Sequence, residues 1–377
     1  MSFFNQNTSI FAYMSALAEK HKAINLSQGF PDFPVDPKLI DCVVKAMREG
    51  FNQYAPMPGW QPLREKLSVK HHSDYAVRYN PETEITITPG ATQALQSVFA
   101  STIRPNDEVV LFAPAYDSYA PMIKACGGKI VWVELSPSDF SVPHQKLTEA
   151  VSSKTRLIVL NNPHNPSGAV WKKEDVLLLE ALQQKFGFFV LADEVYEKIC
   201  FLPKGFESLT KSEILRPSLF LVYSFGKTFH ATGWKLGYVL APENLMKELR
   251  SYFQYAVFSV NTPMQKGIAD YLDSVDLNEV AKMYMEKQQF FENEMKKTKL
   301  RPLPTYGSYF QLYDYSEIRN DIGDVEMAEW LTISAGVATI PVSVFYPNPP
   351  THMRYLRFCF AKKNENLSRA ALALAEL

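Results

Sequence analysis

The stretch Ser224-Phe-Gly-Lys-Thr-Phe-His-Ala-Thr-Gly-Trp-Lys-Leu-Gly237 decides how this chain is read. The apolar run Leu219-Phe-Leu-Val-Tyr223 precedes it and predicts a buried strand. Such a strand delivers Ser224, Gly226 and Lys227 to the edge of a sheet, where α/β proteins place their ligands. Gly226-Lys227-Thr228 also looks like the end of a phosphate-binding P-loop. That motif requires a glycine five residues before its final glycine. Position 221 is Leu221, inside the strand, so no loop is left to wrap a nucleotide's phosphates. A surface lysine after a strand stays open as the plain alternative until partner residues are found.

Working outward, apolar runs at 84–88, 109–112, 130–135, 157–161, 188–192, 219–223 and 236–240 read as strands. They alternate with helical stretches. That pattern predicts an α/β fold: a large domain with a mostly parallel seven-stranded sheet flanked by helices. Helices follow at 243–255 and 263–272, and a long one runs from 275 to about 297. Short strands at 309–313, 337–340 and 355–360, with helices at 325–334 and 365–377, predict a second, smaller α+β domain. The expected division is an N-terminal arm over 1–36 joining the small domain, a large domain over 37–270, and a small domain over 271–377. The arm carries a short helix through Ile10, Met14, Leu17 and Ala18, capped by Ser9. The loop Asn52-Gln-Tyr-Ala-Pro-Met-Pro-Gly59 reads as a packed surface loop, a lid or a subunit contact.

Composition narrows the function classes. The 377 residues are 46% hydrophobic and 21% charged, as in ordinary soluble proteins. With 39 basic and 40 acidic residues, no electrostatic surface for nucleic acid or membrane is expected. Residues 1–7 show neither a basic nor an apolar leader segment, and no apolar run approaches a membrane span, so a cytoplasmic location is expected. Cys42, Cys126, Cys200 and Cys359 lack Cys-x-x-Cys spacing and read as free thiols. The seven histidines form no His-x-x-x-His pair, so no metal is expected.

Several strands end in chemistry. The run Leu157-Ile-Val-Leu-Asn-Asn-Pro-His-Asn-Pro-Ser-Gly168 ends one strand with Asn165 and two Asn-Pro bonds, where a cis peptide can be locked in. Phe189-Val-Leu-Ala-Asp-Glu-Val-Tyr196 ends the next with Asp193 and Tyr196. A carboxylate closing so apolar a strand needs a cation. A salt bridge is the structural alternative, and a cationic ligand is the functional one. Pyridoxal phosphate makes demands that these residues meet together. Lys227 supplies an amine for its aldehyde, and Asp193 a buried carboxylate for its ring nitrogen. Asn165 and Tyr196 offer donors to the ring oxygen. Ala91 and Thr92 at a helix start, with Ser224 and Lys235, suit the phosphate. Tyr116, just past the strand at 109–112, offers an aromatic face.

The motifs at 161–168, 192–196 and 224–237 resemble the class I/II pyridoxal-phosphate aminotransferases of fold type I, over essentially the whole chain. Leu26-Ser-Gln-Gly-Phe-Pro-Asp-Phe, Asn52-Gln-Tyr-Ala-Pro, Phe258-Ser-Val-Asn-Thr-Pro and Arg357-Phe-Cys-Phe-Ala-Lys-Lys are similar to the methionine and the kynurenine/glutamine aminotransferase subgroups. The resemblance implies pyridoxal 5′-phosphate as cofactor and amino acids and 2-oxo acids as substrates, in a ping-pong reaction. It implies that Lys227 forms the Schiff base and acts as general base and acid. It implies that Arg357 grips the substrate carboxylate, helped by Asn165 and the Gly29 N–H, and that Tyr54 crosses a homodimer interface to the partner's phosphate. A structural ion pair is the other reading of Arg357. Lys235 stands where many relatives have arginine, so a point charge replaces a fork. Phe11, Phe30, Tyr54, Tyr116 and Phe345 are candidate pocket walls, although core or interface packing explains some of them equally well. An aromatic, mostly uncharged wall suits methionine, an aromatic amino acid, kynurenine or glutamine better than aspartate. A carbon–sulfur β-lyase with the same cofactor, and a non-catalytic regulator on the same fold, are the alternatives.

Overall fold

The structure is a computed structural model that describes residues 9–203 and 205–377. Residues 1–7, on which the absence of a leader was read, lie outside the described residues.

Seven strands form one sheet: β1 (Ile85–Thr88), β2 (Glu108–Ala113), β3 (Lys129–Glu134), β4 (Thr155–Asn161), β5 (Phe189–Asp193), β6 (Leu219–Ser224) and β7 (Gly237–Leu240). Their order is β1-β7-β6-β5-β4-β2-β3. Only β7 runs antiparallel to its neighbours. All of β1 and the first five residues of β6 are buried. That is why these strands read as unbroken apolar runs rather than alternating ones: both faces are covered. On one face the helix Gly90–Thr102 crosses β6 and β7 and packs against the helix Glu243–Ala256. Each buried Leu, Ile or Val side chain in this layer contributes about 1.5–3 kcal/mol.

The register brings the reactive ends together. Asn161 pairs with Asp193, and Asp193 with Val222. Ser224 pairs with Gly237, and Gly237 with Thr88. The carboxyl ends of β1, β4, β5 and β6 and the start of β7 therefore lie along one sheet edge.

A second, antiparallel sheet has the order Ile340–Pro341, Tyr355–Cys359, Phe310–Asp314, Arg301–Pro302. The helices Asn278–Met295 and Asn364–Ala375 pack against each other in this part of the chain. The N-terminal segment joins it: Ile24–Asn25 pairs in parallel with Val337–Ala338. The helix Ile10–His21 starts at Ser9, whose hydroxyl accepts from the Ala12 N–H at 3.2 Å.

The seven sheet strands agree with the expected ones to within two residues. Three other readings change. The expected strand at 337–340 is two short pieces interrupted at Thr339, the first paired with the N-terminal segment and the second with Tyr355–Cys359. The expected helix at 325–334 is an α-helix over Asp324–Trp330 that continues as a π-helical turn, Leu331–Ala335, and stops at Gly336 in the left-handed region. The helix Gln61–Tyr75 has no counterpart in the sequence reading. Its buried side include Arg64, Ser68 and His71 beside Leu63 and Leu67, so the apolar period is masked by buried polar residues. The four cysteines are free. Among the described residues there is no cluster suited to a metal ion, and no helix is long and apolar enough to cross a membrane.

Gly237 marks where sheet and site share one tight contact. A Cβ there would lie 2.5 Å from the Tyr223 carbonyl oxygen and 3.0 Å from the Ala91 nitrogen, both backbone atoms. Gly237→Ala must push β7 off β6 and off the helix start. The expected result is a loss of about 1–3 kcal/mol in chemical denaturation; an unchanged midpoint would refute this account of the contact.

Candidate active site

The sheet edge opens into a cavity of about 250 Å³. Twelve of the thirteen residues expected to hold cofactor or substrate line it, from Phe11 and Gly29 through Asp193 and Lys227 to Arg357. Tyr54 is the exception. It is 80% exposed, packs edge-on against Phe258 with ring centroids 5.2 Å apart, and is not among the residues that line its own chain's cavity.

Asp193 ends β5 and is 4% exposed. Its Oδ2 accepts from the Tyr119 hydroxyl at 2.6 Å and its Oδ1 from the Val195 N–H at 3.3 Å. Among the described residues no cation forms an ion pair with it, so the salt-bridge alternative does not apply. Burial raises its pKa from 3.8 to about 6, against the pull of Tyr119, the Val195 N–H and the Lys227 charge. A buried carboxylate that lines a cavity without a cation fits a cationic ring nitrogen. Beside it, Asn161 donates to the Asp193 carbonyl at 2.9 Å and accepts from the Asn165 N–H at 2.6 Å. The peptide bonds Asn162-Pro163 and Asn165-Pro166 are both cis.

At the other end of the cavity the helix Gly90–Thr102 begins without a side-chain cap. Ala91 and Thr92 in its first turn line the cavity, as do Ser224 and Thr232. Gly90 has φ +77°, and a Cβ there would meet the Lys235 Cε at 3.3 Å and Nζ at 3.4 Å. The Lys235 amine therefore lies against an uncapped helix start, a combination suited to a phosphate dianion.

Arg357 lies in the strand Tyr355–Cys359 and is 1% exposed. Its Nη1 donates to Asn165 Oδ1 at 2.8 Å and its Nη2 to the Ser27 carbonyl at 3.0 Å, while Nε has no partner. The guanidinium carbon lies 3.9 Å from the Phe310 ring centre, 5.2 Å from that of Phe11 and 5.3 Å from that of Phe345. Among the described residues no carboxylate forms an ion pair with it. A structural ion pair is thus not what holds Arg357. Aromatic faces partly compensate its charge, and a ligand carboxylate would complete it.

Lys227 sits in the short helix Phe225–Thr228 directly after β6. Its amine donates to the Tyr309 hydroxyl at 2.7 Å and to the Gly29 carbonyl at 3.2 Å. Burial lowers its pKa to about 8. Tyr196 is buried and lines the same wall, and burial raises its phenol pKa. Tyr116 lines the cavity with its ring edge-on to Tyr119, centroids 5.5 Å apart. Two expected wall residues lie elsewhere. Phe30 is 45% exposed and covers the Lys362 amine, and Phe345 packs behind Phe11 and Arg357.

Sequence reasoning missed Tyr119, Asn161 and Tyr309. Tyr119 stands three residues after Tyr116 in Ala115-Tyr-Asp-Ser-Tyr119, a usable signal once Tyr116 was chosen. Tyr309 was read as part of an apolar strand, and nothing in the sequence separates it from a core tyrosine.

The sequence profile of the family "Aminotransferase class I and II" matches residues 21–374. The methionine aminotransferase of Escherichia coli is 43% identical over 372 residues, covering 98% of this chain and 96% of that protein. The kynurenine–oxoglutarate transaminase of Dictyostelium discoideum is 32% identical, covering 96% and 92%. An Escherichia coli crystal structure identified as a methionine aminotransferase superposes with a TM-score of 0.96 at 43% identity, covering 99% of this chain and 98% of the other.

Asp193 gives a stability test. A carboxyl whose folded pKa is raised from 3.8 to about 6 stabilises fully below about pH 4 and loses that contribution as pH rises through 6. The loss amounts to about 3 kcal/mol. Ligand-free Asp193→Asn protein should therefore unfold at a higher temperature than its parent at pH 8, with the gap closing toward pH 4. A lower unfolding temperature at pH 8 would show that Asp193 serves the fold instead.

Proposed function

This chain belongs to the aminotransferase class I and II family, and on that premise we propose that it binds pyridoxal 5′-phosphate and moves the amino group of a large neutral amino acid to a 2-oxo acid. One observation carries the reading. The cavity wall holds a buried carboxylate, Asp193, and a buried guanidinium, Arg357, neither with an ionic partner among the described residues. Two buried charges of opposite sign, neither in an ion pair, are costly unless a ligand brings their complements. A cofactor with a cationic ring nitrogen and a substrate with a carboxylate bring both.

When bound, pyridoxal phosphate supplies an aldehyde to take up the amino group and a protonated ring to draw off the electron pair left at Cα. Asp193 keeps a proton on the ring nitrogen. Tyr119 in turn fixes the Asp193 carboxylate. Ala91, Thr92, Ser224 and Lys235 would hold the phosphate, and Tyr116 would offer an aromatic face to the ring. Asn165 and Tyr196 donate to the ring oxygen. Arg357 and Asn165 orient the substrate carboxylate, with the Gly29 N–H. Lys227 would hold the cofactor's aldehyde end and, as a neutral amine, would take the proton from the substrate Cα at its Nζ and give it back. With a pKa lowered to about 8, a useful fraction of that amine is neutral near physiological pH.

The substrate class follows from charge. The lining holds three cationic residues, Lys227, Lys235 and Arg357. Each has a role above, which leaves none of them for a second substrate carboxylate. Phe11, Tyr116 and Phe310 make the remaining wall aromatic. The similarity to the methionine and kynurenine aminotransferases supports the same class.

A donor and acceptor panel tests this. Methionine or an aromatic amino acid should give a higher kcat/KM than aspartate, with the visible spectrum alternating between the pyridoxal and pyridoxamine forms. Arg357→Ala should raise KM for amino and oxo acids together by about 10- to 100-fold, as expected for a lost charged hydrogen-bonded contact. Aspartate as the preferred donor would remove the pocket reading and leave the chemistry standing.

We also propose a homodimer in which Tyr54 reaches the partner's phosphate site. Tyr54 and Phe258 pack together while both stay exposed, and Tyr255, three residues before Phe258, is 91% exposed, which supports an interface. Sedimentation should give the mass of two chains, and Tyr54→Ala should weaken cofactor retention. A monomer that retains the cofactor fully would rule the interface out.

A further inference from the structure

Tyr309 has the most specific geometry of any residue around the lysine. Its hydroxyl accepts from the Lys227 amine at 2.7 Å and donates to the Gly29 carbonyl at 2.5 Å. Lys227 donates to that same carbonyl at 3.2 Å, which closes a triangle of amine, phenol and carbonyl. Three remote segments meet there: the N-terminal segment, the turn after β6, and the residue before the strand Phe310–Asp314. The ring cannot drift. It is completely buried, with Phe310, Tyr196 and Tyr284 centred 4.9, 5.2 and 5.8 Å away.

A neutral amine has two hydrogens and one lone pair. The triangle engages both hydrogens, one on the phenol oxygen and one on the carbonyl. Only the lone pair is left uncommitted, on a side chain that lines the cavity. The phenol keeps its own proton, since burial holds its pKa well above the ordinary value and the proton is engaged by Gly29. It is therefore a neutral acceptor that orients the amine without adding a negative charge. Among the other groups facing Lys227, Arg357 and Lys235 are cations, Asp193 is the carboxylate, Cys359 is a thiol and Tyr196 offers its ring 5.6 Å away. None of these hydrogen-bonds to the amine.

We propose that Tyr309 is the positioning residue for Lys227: its phenol, with the Gly29 carbonyl, holds the free amine so that the lone pair is the part left to react. The same bond ties the amine to the carboxylate site. Gly29 lies two residues after Ser27, whose carbonyl holds the Arg357 Nη2. Tyr309 has this role only if Lys227 is the reacting amine, as proposed above.

The test is Tyr309→Phe, which removes one oxygen and retains the ring packing. Protein stripped of cofactor is mixed with pyridoxal phosphate, and the initial rate of colour formation is followed against pH. In that reaction the Nζ lone pair bonds to the aldehyde carbon, and the carbonyl oxygen leaves as water with both amine protons. The parent rate should rise through a midpoint near 8. The phenol oxygen favours the ammonium by accepting from it, so its removal should lower that midpoint by about half a unit to one unit. In turnover the variant should lose about 10- to 100-fold in kcat with KM within about threefold, the loss expected for a misdirected general base. The kinetic isotope effect of an α-deuterated substrate should rise. Tyr284→Phe is the control. Its ring packs on Tyr309, but its hydroxyl meets His230 at 3.1 Å, and it should leave the profile in place. A folded Tyr309→Phe protein with the parental profile and kcat overturns the proposal, as does an equal shift in Tyr284→Phe. A parent that captures no pyridoxal phosphate overturns the function reading itself, and the two failures are thereby distinguished.

Discussion

A buried charge with no counter-charge of its own is the constraint around which this molecule is arranged. Asp193 and Arg357 are both almost inaccessible, and each is held by neutral groups only: a phenol and an amide for the carboxylate, a side-chain amide and a carbonyl for the guanidinium. In a low dielectric such groups are tolerated only where the surrounding structure is rigid enough to keep them there. The sheet provides that rigidity for Asp193, because the strand that carries it is paired on both sides up to its last residue. For Arg357 the pairing Leu312↔Arg357↔Ile340 does the same.

The two charges come from different sheets, so the cavity exists only where the two sheets and the N-terminal segment meet. Lys227 is the joint between all three. Its amine touches Tyr309, just before a strand of the second sheet, and Gly29 of the N-terminal segment, while its backbone lies in the short helix that follows β6. Both partners are neutral, and burial lowers the lysine's pKa more than the nearby Asp193 raises it. Electrostatics and packing thus act in the same direction, toward an amine that is free to react. The stability that an apolar residue would give at position 193 is forgone in exchange for a ligand that must be bound.

Much of this was legible in the chain itself. The seven strands announced themselves because a sheet covered on both faces needs unbroken apolar runs, and the residues that ended those runs were polar in a way no core would choose. Asp193 after Phe189-Val-Leu-Ala and Lys227 after Leu219-Phe-Leu-Val-Tyr-Ser-Phe-Gly are conspicuous for that reason. Elements at irregular positions were harder to read. The helix Gln61–Tyr75 buries Arg64 and His71, so its period does not appear in the apolar residues alone. The strand expected at 337–340 splits at Thr339 because its two pieces pair with different partners, which no local pattern encodes.

The sequence by itself determined the sheet, the edge at which the cavity opens, and the residue types suited to a phosphate, a ring nitrogen and a carboxylate, since each of these is written in local runs and in the residues that end them. Tertiary structure alone decided which of several tyrosines touch Lys227 and Asp193. Tyr309 looks like a core aromatic in sequence, Tyr119 is set apart only by its place beside Tyr116, and Tyr54 does not line its own chain's cavity. The physical reason is that a hydrogen bond depends on where two segments 82 or 74 residues apart come to rest, and that is set by packing across the whole molecule.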